Sequence, residues 1–322
     1  MQIETFKIFT DLAVNESFTK AASANGITQS AVSQQVRALE NKYGVMLIDR
    51  GRRHFALTME GEEFLKASKE IMGVYDGLRM RLHEINDVVS GEIRIASIFS
   101  IGLHELPPIL KQYRQKFPDV DLQVEYRRSA QVYSLVASGD VDLGFVSYPV
   151  KRVGLQVEPF MRDRLVVICH PSHRLAKEVS IRLEAIDGEK FVSFEPDLPT
   201  RKVIDRYMRN CGVNVQATMD FDNIETVKRA VEIENGISIV PENTVKQEVE
   251  NGTLAAVRIE DPQLWRPLGI LLKRNRSRTL PVKQLLNALR EHSQPQGVDP
   301  ALDGALEEDA ELDTEAVTAG KA

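Results

Sequence analysis

Disulfides, zinc clusters and long apolar runs are all missing from this chain. Its two cysteines, Cys169 and Cys211, lie far apart and neither belongs to a C-x-x-C pair, so no disulfide framework and no zinc site follow. No apolar stretch approaches the ~18 residues of a membrane span. The N-terminus, MQIETFKIFTDLAVNESF, puts acids in its first turn and lacks the apolar core of a signal peptide. A cytoplasmic chain without membrane contact is expected. Also absent are a G-x-S-x-G elbow, a P-loop and a G-x-G-x-x-G turn, so nucleophilic, nucleotide and dinucleotide chemistry have no signature. Cys169-His170-x-x-His173 gathers three metal-capable side chains, but Pro171 and Arg174 mark a surface loop and no fourth ligand is suitably spaced. The sequence therefore predicts no catalytic residue, no metal and no cofactor.

What remains is an ordinary globular composition, 43% hydrophobic and 27% charged, over 322 residues, long enough for two or three domains. A net charge of −6 argues against a nucleic-acid partner until its placement is considered. From Ser293 onward the chain is strongly acidic with Lys321 its sole base, which leaves residues 1–292 near neutral and able to carry a local basic patch. That tail is rich in Pro, Gly and Ala and has no aromatic residue. It cannot bury enough surface to offset ordering entropy, and disorder is expected over 293–322.

Residues 1–60 read as three short helices and a wing. Ile3, Phe6, Phe9 and Leu12 share one face; Ser17 offers a cap for a second helix that Gly26 stops; Thr28 caps a third running to about Tyr43. GVMLIDRGRRHFALT then reads as a tight strand pair around a basic turn. On the third helix, at about 100° per residue, Gln29, Ser30, Ser33, Gln34 and Arg37 form one polar arc, with Val32, Val36, Ala38 and Leu39 opposite. Amide, hydroxyl and guanidinium groups of low net charge suit base edges in a major groove. A plain solvated helix face has the same pattern. Arg50, Arg52 and Arg53 in the wing turn suit phosphate or minor-groove contact, or simply solvent.

Residues 61–90 continue as a long helix. Phe64, Ile71, Leu78 and Ile85 form one heptad series, and Ser68, Tyr75, Leu82 and Val89 form a second. A 3.5-residue period favours a partner helix and hence a dimer, against packing on the body of the same chain. Residues 91–292 alternate strand and helix in two sets, which predicts two doubly wound α/β lobes with crossovers near residues 162 and 266. Ser97, Ser100, Ser129, Ser147, Thr200 and Asn223 fall at strand ends or helix starts, where small anions bind; Arg128 and Arg201 lie beside two of them. Helix capping is the competing role for each.

The stretch from Glu16 to Leu65 resembles the N-terminal region of LysR-type transcriptional regulators. The resemblance is carried by Ala21–Ala22, Thr28–Ser33, Leu39–Glu40, Ile48–Arg50 and Leu57–Gly61, and further on by Ile109 through Pro118, Ser138–Asp142, His170–His173 and Gly236–Pro241. Gln34 departs from it, since many members carry Arg there, which would shift the preferred DNA sequence. The resemblance implies a winged helix-turn-helix DNA-binding domain at 1–60, with Thr28, Gln29, Ser30, Ser33, Gln34, Arg37, Arg50, Arg52 and Arg53 on DNA, and a dimerising linker helix at 61–90. It further implies a two-lobed effector domain similar to periplasmic binding proteins, lobe I at 91–162 plus 266–292 and lobe II at 163–265. The implied partners are double-stranded promoter DNA, a small anionic effector, RNA polymerase and further copies of the chain, as a dimer or tetramer. The alternative is a metabolite-binding or catalytic α/β protein with a non-functional N-terminal domain.

Overall fold

Capping side chains set the first helices. The structure, a computed structural model, describes residues 3–49, 55–84, 89–260 and 264–293. It contains two units, Met1–Val89 with Asn275–Leu280, and Ser90–Arg274 with Pro281–Ala322. In the first, α1 (Ile3–Asn15), α2 (Phe18–Ala24) and α3 (Gln29–Tyr43) follow in order. The Ser17 hydroxyl accepts from Lys20 N–H and the Thr28 hydroxyl from Ala31 N–H, satisfying groups that a helix start leaves unpaired. Gly44, in the left-handed region at φ +69°, ends α3. Phe9, Leu12, Ala21, Val32, Val36 and Leu39 close the core between the helices.

Of the expected strand pair, the described residues show the antiparallel bridge Ile48 to Leu57, flanked by Asp49 N–H to Ala56 O and Thr58 N–H to Leu47 O. The nearly buried Glu40 anchors its start: Oε1 accepts from both Leu47 N–H and Ile48 N–H. The turn holding Arg50, Arg52 and Arg53 lies outside the described residues.

Helix α4 spans Met59–Glu84. The Thr58 hydroxyl donates to Met46 O and accepts from Gly61 N–H, and a Cβ on Gly61 would stand 2.0 Å from Leu47 O. The Leu57–Gly61 motif is thus a close-packing device. Phe64 meets Phe9 edge-on at 5.1 Å and also contacts Phe6 and Tyr43, while Ser68 is fully buried and donates to Phe64 O. Further along, Ile71 and Leu78 are 39% and 46% exposed. Phe64 and Ser68 of the first heptad thus pack on their own chain, while Ile71 and Leu78 stand exposed within it. The Leu82 side chain and Ile85 lie outside the described residues.

The second unit runs β1 (Gly91–Ser97), α5 (Leu106–Lys116), β2 (Val120–Tyr126), α6 (Ser129–Ser138), β3 (Leu143–Ser147), β4 (Leu155–Cys169), β5 (Ser180–Ile181), β6 (Lys190–Phe194), α7 (Pro199–Asn210), β7 (Gln216–Phe221), α8 (Ile224–Glu232), β8 (Ser238–Pro241), α9 (Lys246–Glu250), β9 (Ala255–Ile259), β10 (Trp265–Lys273) and α10 (Leu280–His292). One lobe is the sheet β2-β1-β3-β10-β4, with β1 parallel to β2 and β3. Its central β3 is buried throughout, which is why it reads as a continuous apolar run. The Tyr113 hydroxyl on α5 donates to Pro281 O at 2.8 Å and ties α10 to this lobe.

The long β4 belongs to both lobes. Residues 155–164 pair with β10, while residues 165–169 pair with β8 and β9. The parallel pair β6–β7 joins the second lobe through Ile237, whose N–H and C=O bond Lys190 and Val192. The first half of β4 carries Pro159, a residue that opposes strand assignment; the structure accommodates it beside a register shift opposite Gly269. Among the described residues the chain crosses between lobes on β4 and at the start of β10.

Candidate functional site

On α3, Thr28, Gln29, Ser30, Gln34 and Arg37 are exposed and Ser33 is half-buried, while Val32, Val36 and Leu39 are packed inward. The polar arc is therefore an outward surface on a helix fixed at both ends. Ala38, expected on the packed side, is exposed. Such a surface presents hydrogen-bonding side chains on a rigid support, which is what base-edge recognition requires.

In the two-lobed unit, Ser97 closes β1, fully buried, and donates to Ile98 O. Ser147 ends β3 and is buried. Ser129 is the first residue of α6, half-buried, whereas Thr200 is the second residue of α7 and buried. Asn223 caps α8, its Oδ1 accepting from Thr226 N–H at 3.1 Å, so here the capping role is present. Ser100 accepts from the Arg266 guanidinium at 3.0 Å.

The structure brings the starts of α6, α7 and α8 together through charge. Arg128, immediately before α6, lies 2.5 Å from Glu195, 3.1 Å from Asp197 and 3.9 Å from Asp222. Arg201 bonds both oxygens of Asp205, and also Asp220 and Phe194 O. The two guanidiniums that the sequence offers to an anion are thus held by five carboxylates.

Sequence reading missed the groups where β4 and β10 cross. Arg266, 3% exposed, donates to Asp163 Oδ2 through Nε and Nη2 at 3.2 and 2.6 Å and to Ser100 through Nη1. Among the described residues, Asp163 Oδ1, Glu105 Oε1 and the Tyr148 hydroxyl have no hydrogen-bond partner. Burial, and then the Asp163 charge, push the Glu105 carboxyl above the ordinary glutamate range. Tyr148 holds φ +48°, in the left-handed region, directly after β3, a strained position for a bulky side chain. A second contact between lobes is His104 Nε2 to Glu225 Oε1 at 2.9 Å, with the buried Lys228 on the other carboxylate oxygen at 3.0 Å. No linear spacing announces these pairs; the one available signal was opposite charge within the otherwise apolar strands FMRDRLVV and WRPLGILLK.

The Cys169–His173 loop has other uses for its groups. His170 Nδ1 is 2.7 Å from the Ser172 hydroxyl, and His173 Nδ1 accepts from Leu175 N–H. Burial, followed by Glu189, pushes the Cys169 thiol up to about 11, leaving little thiolate near neutrality. No helix among the described residues is long and apolar enough to cross a membrane.

The family model described as bacterial regulatory helix-turn-helix protein, lysR family, matches residues 3–62, and that of the LysR substrate binding domain matches residues 86–294. The chain is 28% identical over 292 residues to the HTH-type transcriptional activator CmpR of Synechocystis, covering 91% of this chain and 96% of that one. It is 26% identical over 271 residues to the HTH-type transcriptional regulator CysL of Bacillus subtilis, covering 84% and 91%. In fold it is similar to a full-length OxyR variant from Pseudomonas aeruginosa, with a TM-score of 0.72, 18% identity and coverage of 90% and 94%. It is likewise similar to full-length CbnR complexed with its target DNA, with a TM-score of 0.63, 17% identity and coverage of 90% and 99%. With a capped helix-turn-helix in one unit and a two-lobed α/β domain in the other, each matched along nearly its whole length, this chain belongs to the LysR family of transcriptional regulators.

Proposed function

We propose that this regulator binds a pseudo-palindromic promoter site as a dimer of dimers in the cytoplasm and responds to a small anionic metabolite between its lobes. Thr28, Gln29, Ser30, Ser33, Gln34 and Arg37 face the major groove, and Arg50, Arg52 and Arg53 contact the backbone beside it. The observation that carries this reading is the exposed polar arc of α3, held by the Thr28 cap and backed by an apolar face. Residues 1–60 form the DNA-binding domain, 61–90 the dimerising helix, 91–162 plus 266–292 and 163–265 the two lobes, and 293–322 an acidic tail. RNA polymerase is the downstream partner, and neither catalysis nor a cofactor is involved.

The effector reading is supported by the convergence of the α6, α7 and α8 starts, where Ser129, Thr200 and Asn223 sit, with Ser97, Ser100 and Ser147 along the lobe I wall. An anion entering there competes with carboxylates for Arg128 and Arg201. Gel-shift titration of the full chain against DNA upstream of its own gene, with and without a panel of carboxylates, phosphates and sulfate, tests both parts. The expected result is a salt-dependent specific complex whose mobility or footprint changes with one class of anion. Binding of an anion with no retarded DNA at any salt concentration would favour the metabolite-binding alternative.

A further inference from the structure

We propose that Arg128 is a latch holding the two lobes together in the effector-free regulator. Its guanidinium, carried by the lobe of β1–β3, reaches Glu195, Asp197 and Asp222 of the other lobe. Parallel pairing of β6 with β7 sets Phe194 beside Phe221, so Glu195 and Asp222 emerge side by side from adjacent strand ends. Asp197 joins them in a tight turn closed by Leu198 N–H to Glu195 O. Three carboxylates so placed repel one another unless a cation lies between them, and Arg128 supplies it from across the cleft. The guanidinium is itself aimed by its backbone, whose N–H bonds Gln131 Oε1 at 3.2 Å at the start of α6.

Among the described residues the lobes are joined by β4 and by the start of β10, an arrangement that permits hinge rotation unless contacts across the cleft oppose it. Ion pairs that join the lobes include those of Arg128 and the His104–Glu225 contact. Arg128 and its acids are between a third and two thirds exposed, so the contact is screened and weak enough to be released. One side chain ordered once for three partners still favours the latched state more than an isolated surface pair would. An effector then acts against a defined resting contact, because it shifts the lobes only by its differential affinity for the latched and released states.

Hydrogen exchange of the full-length, effector-free chain, read by mass spectrometry, tests the latch. Arg128→Ala should speed exchange by about tenfold in the peptides facing it from the other lobe, around 195–202 and 222–227. The triple variant Glu195→Gln, Asp197→Asn, Asp222→Asn should do the same to peptides 97–106 and 127–133. Combining all four changes should add little beyond either set, since both remove one contact. Raising salt should quicken the wild type toward the Arg128→Ala rate and leave that variant unchanged. Exchange altered only within 128–133 in Arg128→Ala, or effects of the two sets that simply add, would overturn the proposal.

Discussion

Arg266 Nη2 stands 2.6 Å from Asp163 Oδ2, on the two strands by which the chain crosses between its lobes, and both side chains are almost wholly buried. Two charges out of water depend on each other, and removing one leaves the other uncompensated. Asp163→Ala and Arg266→Ala should each lower stability by about 3–5 kcal/mol in denaturant unfolding. Replacing the pair together by Leu and Met should recover much of that loss. Single variants within ~0.5 kcal/mol of wild type would show that the pair contributes nothing to the crossover.

Helix α4 makes a divided prediction. Phe64→Ala removes a ring packed against Phe6, Phe9 and Tyr43 and should destabilise the N-terminal unit by about 3 kcal/mol. Ile71→Lys with Leu78→Lys changes side chains that are exposed within one chain, so folding should survive while like charges disrupt a two-fold seam. Sedimentation should then report smaller species. An unchanged oligomer for the folded double variant would place the dimer contact elsewhere.

Gly61 has no room for a methyl group, because Leu47 O occupies the position a Cβ would approach. Gly61→Ala must push α4 away from the loop after α3, at a cost of about 1–3 kcal/mol. A thermal melt of the variant should show the loss, and a melt coincident with wild type would mean the loop yields freely.

Acid should weaken the Glu225 contact. Burial alone would raise the Glu225 pKa, but hydrogen bonds from His104 and Lys228 outweigh it and hold the carboxyl below the usual glutamate range. A depressed folded pKa gives stabilisation that is complete above the unfolded value, roughly 4.3, and is lost as pH falls through the lower folded value. The difference in unfolding midpoint between wild type and Glu225→Gln should therefore shrink on acidification from pH 7 into that range. A constant difference would contradict the assignment.

Local signals were legible because their causes are local. Ser17 and Thr28 act within a turn of their own helices, and the alternation of β and α elements over 91–292 follows from short-range hydrophobic pattern. Of the wing strand pair, the described residues hold the Ile48–Leu57 bridge, and the turn between the strands lies outside them. The first half of β4 was hidden by Pro159, which only the register shift opposite Gly269 admits. At the cleft, the pairing of charges was not readable. Arg128 looked free for an anion because its three acids lie more than sixty residues away along the chain, and no periodicity links them.

The central claim is that the α3 arc reads DNA sequence, and a base-substitution series across the operator tests it most directly. Wild-type chain, Gln29→Ala and Arg37→Ala would each be titrated at several salt concentrations against every single-pair variant of the footprinted site. The account predicts that each mutation removes discrimination at its own base-pair position, worth about 1–3 kcal/mol, and leaves other positions as selective as before. Identical selectivity profiles for all three proteins, with equal salt slopes, would contradict it.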